Sequence, residues 1–203
     1  MNLKLLLLLI YWGIGIYSAF AQSTSTASIT IGKIPEARFS FTKNWAYKWD
    51  VIKNNDGKFE KTTDGQIQPG DTTHLYYTAQ CQTNVQGGYS LYYCDATKKA
   101  GTLELTFTGG QPAYGSEYKV SLKNNKIYFD PDIAYEDIIE NATITYKTIK
   151  TKLTFNQRNY STAKVISGYI NIEFEEVVSL PKRKPVIHQY YLRGYFKTPV
   201  KTQ

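Results

Sequence analysis

Apolar side chains in this chain recur at every second position, and past residue 21 no useful stretch carries an apolar stripe at helical spacing. Leu103, Leu105 and Phe107 alternate with Thr102, Glu104, Thr106 and Thr108. Ile170, Ile172 and Phe174 alternate with Tyr169, Asn171, Glu173 and Glu175, and Tyr190, Leu192 and Phe196 with Tyr191, Arg193 and Lys197. A period of two puts one set of side chains in a core and the other in water, which is the pattern of a half-buried strand. Tyrosine, threonine and β-branched residues suit such a pleated surface. Further strands are expected at 28–34, 37–43, 74–81, 89–94 and 117–129.

Local signals add detail. Asn124-Asn125 lies between Tyr118, Val120, Leu122 on one side and Ile127, Phe129 on the other, and asparagine tolerates positive φ, so a two-residue hairpin turn is expected there. In 143–155 the apolar positions change phase, from Ile144 and Tyr146 to Ile149, Leu153 and Phe155. A phase change reverses the faces, so a β-bulge is expected near Lys147-Thr148. Only 133–140 has helical character, and it supplies one or two turns. Many strands, turns about every ten residues and no crossover helices give an all-β fold, expected to be an antiparallel β-sandwich with a closed β-barrel as the alternative.

Residues 1–21 read as a secretory signal peptide. Lys4 precedes the apolar run Leu5-Leu6-Leu7-Leu8-Leu9-Ile10, and Ala19-Phe20-Ala21 supplies a small-residue cleavage site before Gln22. Gly13, Gly15 and Ser18 interrupt the run short of the about 20 apolar residues a membrane span needs, so no transmembrane helix is expected after cleavage. Residues 22–203 then form one exported β domain, secreted, periplasmic or otherwise extracellular. The whole chain carries a formal net charge of +7, and loss of the leader removes one lysine and no acid, leaving +6. A lysine-rich excess favours solubility or acidic partners, and the exported address argues against nucleic acid as the target.

Cys81 and Cys94 are the only cysteines, and they are bound for an oxidising compartment. If Gly87-Gly88 is a two-residue turn, Gln86 opposes Tyr89 and, counting outward, Cys81 opposes Cys94 in a non-hydrogen-bonded pair, with Cα atoms about 4.5 Å apart. A cross-strand disulfide stapling this hairpin is therefore expected, worth about 3 kcal/mol.

Chemistry-bearing constellations are sparse. His74 and His188 are the only histidines, without a G-x-S-x-G elbow or an H-E-x-x-H pair, so neither a Ser/His/Asp hydrolase nor a zinc site is indicated. Glu104, Glu173 and Glu175 lie on polar strand faces, so the pair of carboxylates a glycosidase needs is geometrically possible. Asp130, Asp132, Glu136, Asp137 and Glu140 cluster without a base, which suits calcium through Asp130, Asp132, Glu136 and Asp137, or capping of the short helix. Lys182, Arg183 and Lys184 form a basic tip between Pro181 and Pro185, fit either to grip an anionic glycan or to guard a strand edge. Asn141 and Asn159 open glycosylation sequons that count only in a eukaryotic host.

Trp45, Tyr47 and Trp49 fall on one face of an extended segment, and Tyr76, Tyr92 and Tyr191 point outward from their strands. Such rings either plug a core or stack on sugars and anchor protein interfaces. The expected function is a non-enzymatic binding or surface-associated module for a glycan or another protein. A barrel carrier of a small apolar ligand, with Gly168 and Gly194 facing inward, and a secreted hydrolase are the alternatives.

Overall fold

A computed structural model describes residues 28–110, 115–135 and 140–203. The expected leader and residues 136–139, half of the helical turn expected at 133–140, lie outside the described residues. Among the described residues no helix is long and apolar enough to cross a membrane.

The chain enters through β1 (Ser28–Ile31) and a 3₁₀ segment, Glu36–Lys43, where a strand was expected. Phe39 and Phe41 are both buried there, and Lys197 of the main sheet pairs with Glu36, so the segment packs as a turn against the sheet instead of joining it. Four short strands follow: β2 (Trp45–Ala46), β3 (Val51–Lys53), β4 (Phe59–Lys61) and β5 (Leu75–Tyr76). Then come β6 (Ala79–Thr83), β7 (Tyr89–Leu91), β8 (Tyr93–Lys99), β9 (Thr102–Thr108), β10 (Glu117–Lys123) and β11 (Lys126–Asp132). Three long strands end the chain: β12 (Thr143–Phe155), β13 (Val165–Ser179) and β14 (Val186–Thr202).

Ten strands form one mixed sheet in the order β1-β12-β13-β14-β8-β9-β10-β11, with β6 paired to β14 and β7 to β6. β11 returns beside β1 and β12, so the sheet is nearly closed into a barrel. This corrects the expected sandwich. A sandwich would stack β12-β13-β14 and β8-β9-β10-β11 as separate layers. Here β14 is long enough to pair with β6 through Leu192–Phe196 and then, at Val200–Thr202, to run parallel along Ala96–Lys98 of β8. That handover joins the two halves edge to edge, and β1 adds a second parallel pairing on β12.

The inner face carries the alternating residues. Leu105, Phe107, Tyr118, Val120, Leu153, Phe155, Ile170, Ile172, Leu192 and Phe196 are fully buried. Phe196 packs edge-on against Phe107 at 5.7 Å and Phe155 at 5.9 Å, and each such burial contributes up to about 3 kcal/mol. The interior is thus filled by side chains. Asn124 and Asn125 take φ of 51° and 59° in the tight turn between β10 and β11, as expected. The bulge in β12 falls between Thr148 and Lys150, leaving Ile149 as the extra residue and rotating Leu153 and Phe155 onto the inner face.

The cysteine hairpin differs from its expectation. Gln86 joins Gly87 and Gly88 at positive φ, and Asn84–Gly88 forms the loop, so Thr83, not Gln86, opposes Tyr89. The register slides, Cys81 faces Leu91, and Cys94 falls beyond the bend at Tyr92 onto β8, opposite Phe107. No disulfide forms, and both thiols are buried. Burial pushes both thiols up, Cys94 further through the nearby Cys81 and Asp95. The native protein is therefore expected to resist a thiol reagent at mildly alkaline pH and to titrate two thiols once unfolded. Finding none in denaturant would show that the cysteines are bridged after all.

Candidate functional site

The residues between β1 and β6 build an arm outside the barrel. It consists of two ribbons, β2 with β5 (Trp45 opposite Tyr76) and β3 with β4 (Val51 opposite Lys61). Two-residue strands hold poorly by themselves, and a buried carboxylate ties the arm together. Asp71 accepts from Lys48 Nζ at 2.6 Å, Lys61 Nζ at 3.0 Å and the Gln68 amide at 2.8 Å. Lys48 first, then the Gln68 amide and Lys61, hold its carboxyl well below the ordinary carboxylate range. The link from arm to barrel is Thr78, whose amide donates to the Tyr92 carbonyl at 3.0 Å and whose carbonyl accepts from the Lys197 amide at 2.9 Å.

Aromatic rings dress the arm where it meets the barrel. The Trp45 indole stacks on His74 at 3.4 Å, and Tyr47 sets its edge against both Trp45 and Phe59 at 5.1 Å. Tyr77 stacks on Tyr92 at 4.8 Å, with Tyr93 edge-on at 5.8 Å. Burial and then Tyr77 raise the Tyr93 hydroxyl above its usual value. Trp45, Trp49, Tyr76 and Tyr92 keep 40%, 45%, 56% and 39% of their surface exposed, so the two tryptophans do not plug a core.

Between arm and barrel lies a cleft of about 950 Å³, walled by Tyr47, Trp49, Tyr76, Tyr77, Tyr92 and Tyr93. Three acids from the barrel also face it: Asp95 of β8, Glu117 of β10 and Asp132 of β11. Of the aromatic residues expected to bind ligand, Tyr47, Trp49 and Tyr92 line this cleft, and Trp45 braces it from behind through His74. Exposed Lys182, Arg183 and Lys184 sit at the tip of the β13–β14 hairpin and line no part of it.

The other expected residues fall elsewhere. Asp130 is exposed opposite Lys119, and Asp132 stands opposite Glu117. Glu136 and Asp137, the other half of the calcium reading, lie outside the described residues, and among the described residues no three His, Cys, Asp or Glu side chains gather as metal ligands. Glu173 and Glu175 pair with Lys150 at 3.4 Å and Lys147 at 4.0 Å across β12 and β13, and Glu104 accepts from Ser121 at 3.4 Å.

One acid escaped the sequence reading. Glu176 follows the alternation of Ile170, Ile172 and Phe174, so it points inward and is buried. Its carboxylate accepts from the Tyr135 hydroxyl and from His188 Nδ1 at 3.0 Å, and Tyr190 reaches the same nitrogen at 3.3 Å. Burial, reinforced by the negative charge of Glu176, pushes the Tyr146 hydroxyl up to about 12. The phase of Glu176 within the apolar register was the available signal.

Comparison with protein-family models, with curated proteins and with solved structures finds no match for this chain.

Proposed function

We propose that this is an exported, non-enzymatic binding protein that holds a glycan in the cleft between its aromatic arm and its barrel. The observation that carries this reading is the gathering of exposed Trp49, Tyr76 and Tyr92 around one cleft of about 950 Å³. Flat rings with polar edges suit the alternating apolar faces and hydroxyl rims of sugars. Export rests on the leader-like residues 1–21. The aromatic filling of the barrel favours a ligand held outside it over an apolar ligand carried within. Glu117 and Asp132 stand side by side on neighbouring strands. Carboxyls on neighbouring strands also suit a retaining glycosidase, so the binding reading rests on the aromatic wall, and the assay for released reducing ends separates the two.

A glycan array followed by fluorescence titration tests the reading. Trp49→Ala and Tyr92→Ala remove exposed rings, so each should weaken glycan binding about tenfold, a loss of roughly 1.4 kcal/mol, while leaving the thermal midpoint unchanged. Retention of no glycan, together with recovery of a discrete protein partner, would reject it. Release of reducing ends would move the assignment to a hydrolase.

A further inference from the structure

We infer that the glycan held in this cleft carries protonated amines, as a glucosamine polymer does. The inference rests on the glycan reading above and adds the charge class of the ligand. The chain as a whole is basic, at +7, yet its cleft is not. Among the described residues Asp95, Glu117 and Asp132 face the cleft with two bases: the Lys48 ammonium is held on buried Asp71 at 2.6 Å, and the His74 ring is stacked on Trp45.

The three acids are weakly neutralised. Asp95 pairs with Lys201 at 2.7 Å, both exposed, and Glu117 with Lys119 at 2.8 Å, both only partly covered. Exposed pairs of this kind are worth at most about 1 kcal/mol, so a ligand can exchange with them. Among the described residues Asp132 has no ion-pair partner, and its cross-strand neighbour is a second acid, Glu117. Like charges directly opposite each other on adjacent strands repel in the free protein, and an ammonium placed between them removes that repulsion.

The aromatic wall favours the same charge. Ring faces attract an ammonium through their quadrupole, and the attraction rises when the cation is partly desolvated, as in a cleft. Neutral sugars satisfy the rings and leave the acids unused. Uronic or sulfated sugars meet three carboxylates at close range. An amino sugar uses both features, its apolar face on Trp49 or Tyr92 and its ammonium toward Asp132 and Glu117.

The test compares four oligosaccharides of equal length by calorimetry in mildly acidic, low-salt buffer: fully deacetylated glucosamine, its N-acetylated counterpart, a cello-oligosaccharide and an oligogalacturonate. The glucosamine oligomer is expected to bind about tenfold more tightly than the acetylated and neutral ones, with affinity that falls as salt rises. Combining Asp95→Asn, Glu117→Gln and Asp132→Asn should remove that advantage while leaving the neutral oligomers and the thermal midpoint unchanged. Equal binding of glucosamine, acetylated and neutral oligomers overturns the inference and leaves the glycan reading standing, as does tighter binding of the acidic one. Binding of none of the four overturns both.

Discussion

Gly194→Ala should cost the protein about 3 kcal/mol or more, enough to lower the thermal midpoint by roughly 6–12 °C in a domain of this size. A methyl group at that position meets backbone, which cannot swing aside. It would stand 2.2 Å from the Gln80 carbonyl oxygen, 2.5 Å from Cys81 Cα and 2.9 Å from Cys81 Sγ. The local φ of +152° adds strain for any L side chain. Gly194 lies in the middle of β14, opposite Cys81 on β6 and Ile170 on β13. Relief must come from lifting β6, and with it the β6–β7 hairpin, off the barrel. The buried Cys81 thiol reports that event, because it gains reactivity as β6 leaves β14. Thermal unfolding paired with thiol labelling reads both effects. A midpoint within about 2 °C of the parent would show that β6 does not press on β14 as described.

Gly168 makes a useful contrast. A methyl there would stand 2.5 Å from the Thr154 carbonyl oxygen and 2.6 Å from the Phe196 ring. Both glycines therefore exist for close approach, one to let β6 seat and one to let Phe196 reach the centre of the barrel. Their inward position was legible from the alternation of β13 and β14. What they face was not, because it depends on pairings between segments remote in sequence.

The same division runs through the fold. The period-2 residues of β9, β13 and β14, the Asn124-Asn125 turn and the displaced register at Ile149 are local, and each has a local cause in the sequence. The cysteine hairpin went astray at a single residue. Gln86 adopts φ of 49°, a conformation that the neighbouring glycines advertise and glutamine does not, and the longer loop moved the register. Barrel closure depends on Val200–Thr202 lying along Ala96–Lys98, which no local pattern announces. In the cleft, the ring-bearing residues stood out because aromatics outside a period-2 core are conspicuous. Asp95 and Glu117 did not, and Asp132 stood out only as a calcium ligand, because three separate strands bring the three acids together.

Glu176→Ala should lower stability by about 2–4 kcal/mol, Glu176→Gln by about 1 kcal/mol, and Glu176→Leu should fall between them. The side chain occupies an inward position between Phe174 and Val178, where an aliphatic residue belongs by pattern. Alanine opens a cavity and strips the Tyr135 hydroxyl and His188 Nδ1 of their acceptor in one step. Leucine refills the volume, and the partly exposed Tyr135 and His188 can turn to water. Glutamine keeps the shape and one acceptor oxygen. It also removes the negative charge that, after burial, helps hold the Tyr146 hydroxyl near 12, so an alkaline absorbance titration should show that phenol ionising earlier. Denaturant unfolding with linear extrapolation gives the three stabilities. Agreement of all three within about 0.5 kcal/mol would mean that Glu176 holds nothing in place. The expected order, with glycan binding unchanged in each variant, makes Glu176 a polar plug in the end of the barrel and leaves recognition to the aromatic cleft.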